Sequence, residues 1–521
     1  MTATDWIKLA IILPLFFGLG PLLGVAVKDR PDAQRWLFAL MCFMTVNGLF
    51  AAGNWGLTLA SVEKYRGHAK GYHFYFNHIF AIALITAAWL KDRKSFRWFP
   101  PGMTLYALFV VCCSLSIVNA PRVDYTIMAI HKTLFFAVIA IAAFHWLREP
   151  KQMQFFMALM GGTMVWQAVI GLKMKYLDGI YQVRGTFEHQ NPLAMYAVMI
   201  GMPLLAVALG PVFRGRNWCT AGYMACAILV QSALSRAALV MFAGGTLVVA
   251  VCSIMERPTN RRIGMLAGMG AVGGLGLLLT LDTIISRFGD HGNTASSELR
   301  EVLNEAARQM EQAHPLGIGW NNYALCINTP YPYADCVYDW TRGRGMKVDE
   351  SKPNAPVESH YYLLLGENGY PGLIAWLLVI ASGIWRNLRG FLGLPHSFER
   401  CLCLGLLVGC ALNYVQSTLE RVLTQPRNFM LWLIVFGLTA RLEMLRREAR
   451  MKAKQPVLET QAGSEESPQP SQPQRLPGPT AGPALPWPGE LVLTKAANSS
   501  TSGQRSDFPS PTWATTSSPT A

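Results

Sequence analysis

The sequence is short of charge. Only 15% of its 521 residues are Asp, Glu, Lys or Arg, where soluble globular domains carry roughly a quarter. Several enzyme signatures are missing as well. No G-x-x-x-x-G-K-[S/T] loop is present, which argues against a pump driven by a P-loop ATPase. No D-x-D pair offers a divalent ion to a nucleotide sugar, and no H-E-x-x-H helix offers a catalytic zinc. None of the 11 cysteines stand as C-x-x-C. The sequence therefore leads us to expect no cofactor and no metal, and a substrate delivered within or at a membrane.

What the chain has in quantity is apolar sequence, 52% of its residues. It comes in blocks of roughly 18–25 residues, long enough to cross a hydrocarbon core of about 30 Å. Most blocks are apolar all round, as lipid-embedded helices are. We expect an all-α integral membrane protein with about twelve or thirteen transmembrane helices. The candidate spans are 7–27, 36–59, 72–90, 102–118, 126–147, 153–176, 192–213, 217–234, 237–255, 263–281, 361–385, 400–419 and 427–442. The opening stretch lacks a basic n-region and a small-residue cleavage site, so it reads as a retained first helix.

The formal charge of +14 sits mainly in short connections and after the last span, which speaks for membrane orientation and against nucleic acid. Lys28 with Arg30, Lys91 to Lys94, Arg148 with Lys151, Arg214 with Arg216, Arg257 with Arg261 and Arg262, Arg386 with Arg389, and the run from Arg441 to Lys454 fall on one side. The positive-inside rule makes that side cytoplasmic. The other side then carries 60–71, 119–125, 177–191, the break at Ser235-Arg236, the long loop 282–359 and 420–426. Loop 60–71 is itself basic and fits this topology least well. The chain divides into N-terminal spans (1–176), core spans (177–281), the long loop (282–359), C-terminal spans (360–445) and a tail (446–521). From 455 the tail is too rich in Pro, Ser, Thr, Gly and Gln to bury an apolar core, and it is expected to be disordered.

Within the long loop, apolar residues at Leu299, Val302, Leu303, Ala306, Met310 and Ala313 recur at helical spacing. They predict an amphipathic helix over 297–313, capped by Ser296 or Ser297. A turn-rich stretch, His314-Pro-Leu-Gly-Ile-Gly-Trp320, follows. Cys326 and Cys336 stand at a loop-closing spacing. In an oxidising space they are candidates for a disulfide, the alternative being two unpaired thiols.

Chemistry-bearing residues gather on the loop side. Arg184 precedes a span, Arg236 sits at a break between two, Arg287 follows the tenth span, Arg300 lies on the loop helix and His360 opens the eleventh span. Arginine presents a planar, permanently charged fork suited to phosphate oxygens, and histidine can take a proton near neutral pH. Taken singly, a juxtamembrane arginine is most often an interfacial anchor, and a histidine at a helix start is more often a cap or interface residue. His131-Lys132, inside the fifth span, is costly in lipid and so a functional candidate, although snorkelling also explains it. Glu367, intramembrane by position, is a partner for His360 or for an arginine, in a site or in a structural salt bridge.

These pieces together resemble the O-antigen ligase family. The similarity lies in Arg184-Gly-Thr-Phe-x-x-x-Asn-Pro192, Leu234-Ser-Arg236, Arg287 and Arg300 around the loop start, His314-Pro-Leu-Gly-Ile-Gly-Trp320, and Ser359-His-Tyr-Tyr-Leu-Leu-Leu-Gly-Glu-Asn-Gly-Tyr-Pro-Gly372. It covers roughly 180–440. His360-Tyr361 stands where many members have His-Asn. The resemblance implies a metal-independent inverting glycosyltransferase in the bacterial inner membrane, working on the periplasmic face. Its donor would be a glycan on undecaprenyl diphosphate, and its acceptor a lipid A-core sugar, a growing polymer or a protein hydroxyl. His360 would deprotonate the acceptor. Arg184 and Arg300 would hold the diphosphate, with Arg236, Arg287 and Glu367 as further binding candidates. A polysaccharide exporter or flippase is the alternative from another class, although no internal repeat speaks for it.

Overall fold

The computed structural model describes residues 2–47, 56–289 and 293–462. Met1–Glu459 packs as one unit. Of the second unit, Thr460–Ala521, only residues 460–462 are described, as the end of the last helix. The protein is an all-α polytopic membrane protein. Eight of its described helices are long and apolar enough to cross a membrane, and two shorter apolar ones span Asn77–Lys91 and Met103–Asn119.

The helices are α1 (Ala3–Ile12) and α2 (Gly20–Val27), joined by a π-helical run Leu13–Leu19; α3 (Pro31–Val46); α4 (Asn77–Lys91); α5 (Met103–Ser114); α6 (Val123–Trp146); α7 (Pro150–Tyr176); and α8 (Gln190–Leu209). They continue with α9 (Arg216–Ala233), α10 (Arg236–Glu256), α11 (Asn260–Gly289), α12 (Asn293–Ala313), the short α13 (Tyr323–Cys326) and α14 (Asp335–Gly343), α15 (His360–Gly393), α16 (Phe398–Gln416) and α17 (Pro426–Ala462).

The expectation of twelve or thirteen full spans needs correcting at the second. Helix α3 ends at Val46. Residues 48–55 lie outside the described residues, and the chain resumes as strand β1 (Gly56–Leu59), antiparallel to β2 (Tyr72–Tyr75) with Gly56 opposite Tyr75. A transmembrane helix over 36–59 is thus replaced by a shorter helix and one arm of a hairpin. The tail also begins later than expected, because α17 runs on to Ala462; 463–521 lie outside the described residues.

Helix α8 forms the centre of the bundle, with its most apolar stretch wholly buried. Small residues let its neighbours approach. A Cβ on Gly405 of α16 would lie 2.3 Å from Pro203 Cα, and one on Gly222 of α9 would lie 2.4 Å from Gly161 Cα of α7. Close backbone approach of this kind is how helices associate where lipid supplies no hydrophobic drive.

The long loop is a folded cap. The expected amphipathic helix is present as α12, which starts four residues before the expected 297. Leu303, Ala306 and Met310 are buried as the spacing predicted, whereas Ala313 is exposed. These residues form a separate small core with Ile318, Tyr323, Ile327, Val337, Val357 and Leu363.

The cap is keyed onto α15 where that helix is broken. Gly369 has φ 59° and ψ −167°, a conformation essentially reserved for glycine, and Pro371 follows. The break frees the carbonyls of Gly366 and Glu367, which accept hydrogen bonds from the N–H groups of Ile318 (3.1 Å) and Gly319 (3.1 Å). The glycines of His314-Pro-Leu-Gly-Ile-Gly-Trp320 have a steric reason here: a Cβ on Gly317 would lie 2.2 Å from the Glu367 carbonyl oxygen.

Candidate functional site

The connections assigned by sequence to the loop side meet at one end of the bundle. Asn321 and Asn322, both fully buried, knit them together. The Asn321 side chain bonds both the N–H and the carbonyl of Ala69 in connection 60–71. Asn322 Nδ2 donates to Arg122 O (3.2 Å) and Thr126 Oγ1 (3.1 Å), reaching connection 119–125. Thus 60–71, the connection least comfortable on this side by charge, is fixed there by hydrogen bonds.

His360 is the first residue of α15. Its N–H donates to Ser417 O (2.9 Å), and the Trp376 ring stands edge-on at 5.3 Å between centroids. Both ring nitrogens are shielded from solvent and neither has a hydrogen-bond partner among the described residues. They face a cavity of about 40 Å³ whose polar lining is His68, Lys132, Thr133, Trp320, Glu367 and Thr424. That volume suits a few water molecules.

Among the described residues Glu367 forms an ion pair with neither His360 nor an arginine. Its Oε1 accepts the Tyr323 N–H at 3.1 Å, and its Oε2 lies 3.9 Å from His68 Nδ1. Lys132 is buried and donates to His68 O (2.8 Å) and Thr424 O (2.7 Å), so it bridges two connections and does not snorkel to an interface. Burial, followed by the charges of Lys132 and Arg421, holds His68 well below the usual histidine range. It faces Glu367 as a neutral imidazole.

The predicted arginines divide into three groups. Arg300 is engaged by carboxylates: its Nε bonds Glu358, and its Nη2 lies 3.4 Å from Glu420 Oε1, which also accepts from Asn191 at 2.7 Å. Glu420 follows Ser417, the backbone partner of His360, by three residues. Arg184 and Arg236 make no side-chain hydrogen bond or ion pair among the described residues. They lie on adjacent segments, since Val183 N–H donates to Ser232 O at 3.1 Å. Burial holds His189, in the same connection, below the usual histidine range, with Glu358 opposing and Arg184 adding to that shift. Arg287 lies on the last turns of α11, and its side chain is outside the described residues.

Two further arginines were not singled out in the sequence. Arg421 stands among Glu367, Glu358 and Glu420, which oppose the lowering of its pKa by burial. Arg427 is buried and bonds the Thr186 carbonyl, with Thr186 Oγ1 at 3.1 Å. It ties the Arg184 turn to the start of α17. Both flank a short connection between spans, and that position was their only signal in the sequence.

The expected Cys326–Cys336 clasp is absent. Both thiols are free. Cys336 Sγ contacts Gln309 Oε1 at 3.2 Å, while Cys326 is packed in the core of the cap. A larger groove of about 1160 Å³, between α3, α7 and the start of α9, contains none of the predicted residues.

The arrangement offers a proton acceptor with unused lone-pair capacity, a neighbouring carboxylate, and a rim of guanidinium groups. No protein-family model matches the chain, and no curated protein does.

Proposed function

We propose that this protein is a glycosyltransferase of the bacterial inner membrane that moves a glycan from undecaprenyl diphosphate to an acceptor hydroxyl at the periplasmic face. The observation that carries this reading is the buried, unpartnered imidazole of His360 beside Glu367. A buried polar group without a partner is destabilising, and such groups are retained where chemistry uses them.

In the reaction, the acceptor oxygen attacks the anomeric carbon as its proton passes to His360. The bond between that carbon and the diphosphate oxygen breaks, and the diphosphate leaves with the electron pair. Arg184 and Arg236, which hold no carboxylate among the described residues, are the groups to meet its developing charge. Arg300 takes a different role from the one expected of it. Bound to Glu358 within the cap and to Glu420 outside it, Arg300 ties the cap to connection 420–426. A cavity of about 40 Å³ is too small for a sugar ring, so substrate entry requires the residues around it to move apart. The acceptor is a lipid A-core sugar, a growing glycan or a protein hydroxyl.

The test is transfer in proteoliposomes holding a synthetic undecaprenyl-diphosphate oligosaccharide and each acceptor class in turn, read by mass spectrometry. Native protein should form product with one acceptor, and His360→Ala should lose about 10²–10⁴-fold in rate. Near-native transfer by His360→Ala would remove the base assignment. No product with any acceptor would remove the transferase.

A further inference from the structure

At the end of the bundle away from His360, three different metal-ligand types converge. Glu256 is the last residue of α10, His396 lies in the turn between α15 and α16, and Cys401 is near the start of α16. Their ligand atoms all lie within 4.8 Å of one another.

His396 Nδ1 and Glu256 Oε1 are 3.0 Å apart. Both are solvent-shielded, and neither has an aligned hydrogen-bond partner. Two donor atoms at that separation that do not share a hydrogen are placed like neighbouring vertices around one centre. Zinc bonds of about 2.0–2.1 Å to nitrogen and oxygen give tetrahedral edges of about 3.3 Å. Cys401, buried, supplies the third vertex.

The competing account is a plain ion-pair cluster, because Arg400 Nε also lies 2.9 Å from Glu256 Oε1. That contact too is out of hydrogen-bond alignment, and Arg400 Nη1 has its own acceptor in Leu394 O at 3.2 Å. A ligating carboxylate ordinarily carries such an outer donor, which orients it.

We infer that Glu256, His396 and Cys401 form a binding site for a zinc-class divalent ion, with three protein ligands and one open position, joining the end of α10 to the α15–α16 turn. The charges agree. One carboxylate and one thiolate neutralise a divalent ion, and the guanidinium groups of Arg400 and Arg262 stand nearby. Arg262 is held in place by Leu209 O (2.7 Å) and Arg257 O (3.0 Å). The mixed set of sulfur, imidazole and carboxylate suits zinc better than magnesium or calcium. This end carries the basic connections, which orientation places in the reducing cytoplasm, where a cysteine stays available as a ligand. The site is remote from His360 and does not rest on the transferase reading.

The test uses the full chain, purified in detergent under reducing conditions, stripped with a chelator and titrated with Co²⁺ alone. One Co²⁺ per chain should bind with a thiolate-to-cobalt charge-transfer band, which Zn²⁺ then bleaches. Cys401→Ser should abolish the band. His396→Ala and Glu256→Gln should each weaken binding by at least about tenfold. Cys336→Ser, in the cap, should leave the band intact. No band in the native protein, a band retained in Cys401→Ser, or undiminished affinity in His396→Ala would each overturn the inference. The last applies even if Cys401→Ser does not fold.

Discussion

Asn321 and Ala69, 252 residues apart in sequence, are joined by two hydrogen bonds. Asn321 Nδ2 donates to the Ala69 carbonyl at 2.8 Å, and its Oδ1 accepts the Ala69 N–H at 3.1 Å. The side chain pairs with a backbone segment as a neighbouring strand would, and this fixes connection 60–71 against the cap.

Asn321→Ala should therefore loosen the whole end of the bundle. It leaves both Ala69 groups buried without partners, at about 1–3 kcal/mol each. It also puts alanine at φ 65°, where asparagine is better tolerated. We expect a fall of several degrees in the thermal midpoint in detergent. A midpoint within about 1 °C of native would show that the clamp contributes little.

Gly369→Ala should be worse. The new methyl would sit 2.0 Å from the Pro315 carbonyl oxygen, at a backbone conformation alanine avoids. The His314–Trp320 turn could no longer dock on the broken helix. Sharply reduced yield of monodisperse protein is expected, while Gly383→Ala, with open space around it, should express normally.

His360 and Lys132 line one cavity and should behave oppositely. Lys132→Met removes two bonds to backbone carbonyls and should lower the thermal midpoint. His360→Leu removes a group with no hydrogen-bond partner, so stability should hold or rise while transfer is lost. A large loss of stability in His360→Leu would mean that the imidazole has a structural partner and would undercut its role as base.

Glu420 gives the site a pH dependence. Burial, reinforced by Glu358, pushes its carboxyl up to about 7 from the ordinary 4.5, against the pull of Arg300 and Arg421. Between these values the folded protein holds a proton that the unfolded chain releases, so this group's contribution to stability falls as pH rises through the window and levels off above 7. Glu420→Gln should abolish that slope. The midpoint difference, variant minus native, should grow with pH from about 5 to 7 and then stay constant. A difference that is flat across the window would show that Glu420 is ionised throughout.

The loop helix and the motif around Gly317 were legible because they are local. Leu303, Ala306 and Met310 repeat at the spacing of one helical face, and a turn with two glycines announces unusual backbone. The second span was misread for the same reason. An apolar run over 36–59 cannot by itself distinguish a full helix from a helix followed by a strand, because hydropathy does not register backbone hydrogen bonding. The Cys326–Cys336 pair shows a similar limit, since sequence spacing fixes neither the direction of a thiol nor what else it touches.

By itself, the sequence determined that the chain is helical and that it belongs in a membrane, and it pointed to His360 and a set of arginines in the connections between its spans. Those properties follow from transfer energy and charge placement, which act segment by segment. Tertiary structure decided which of these residues meet. It gave Arg300 to Glu358 and Glu420, left Arg184 and Arg236 without an ion pair among the described residues, and set Glu367 opposite His68. It also brought Glu256, His396 and Cys401 together from three separate stretches. Pairings of this kind depend on where helices cross and where α15 breaks at Gly369, and helix crossing is set by close packing between distant residues.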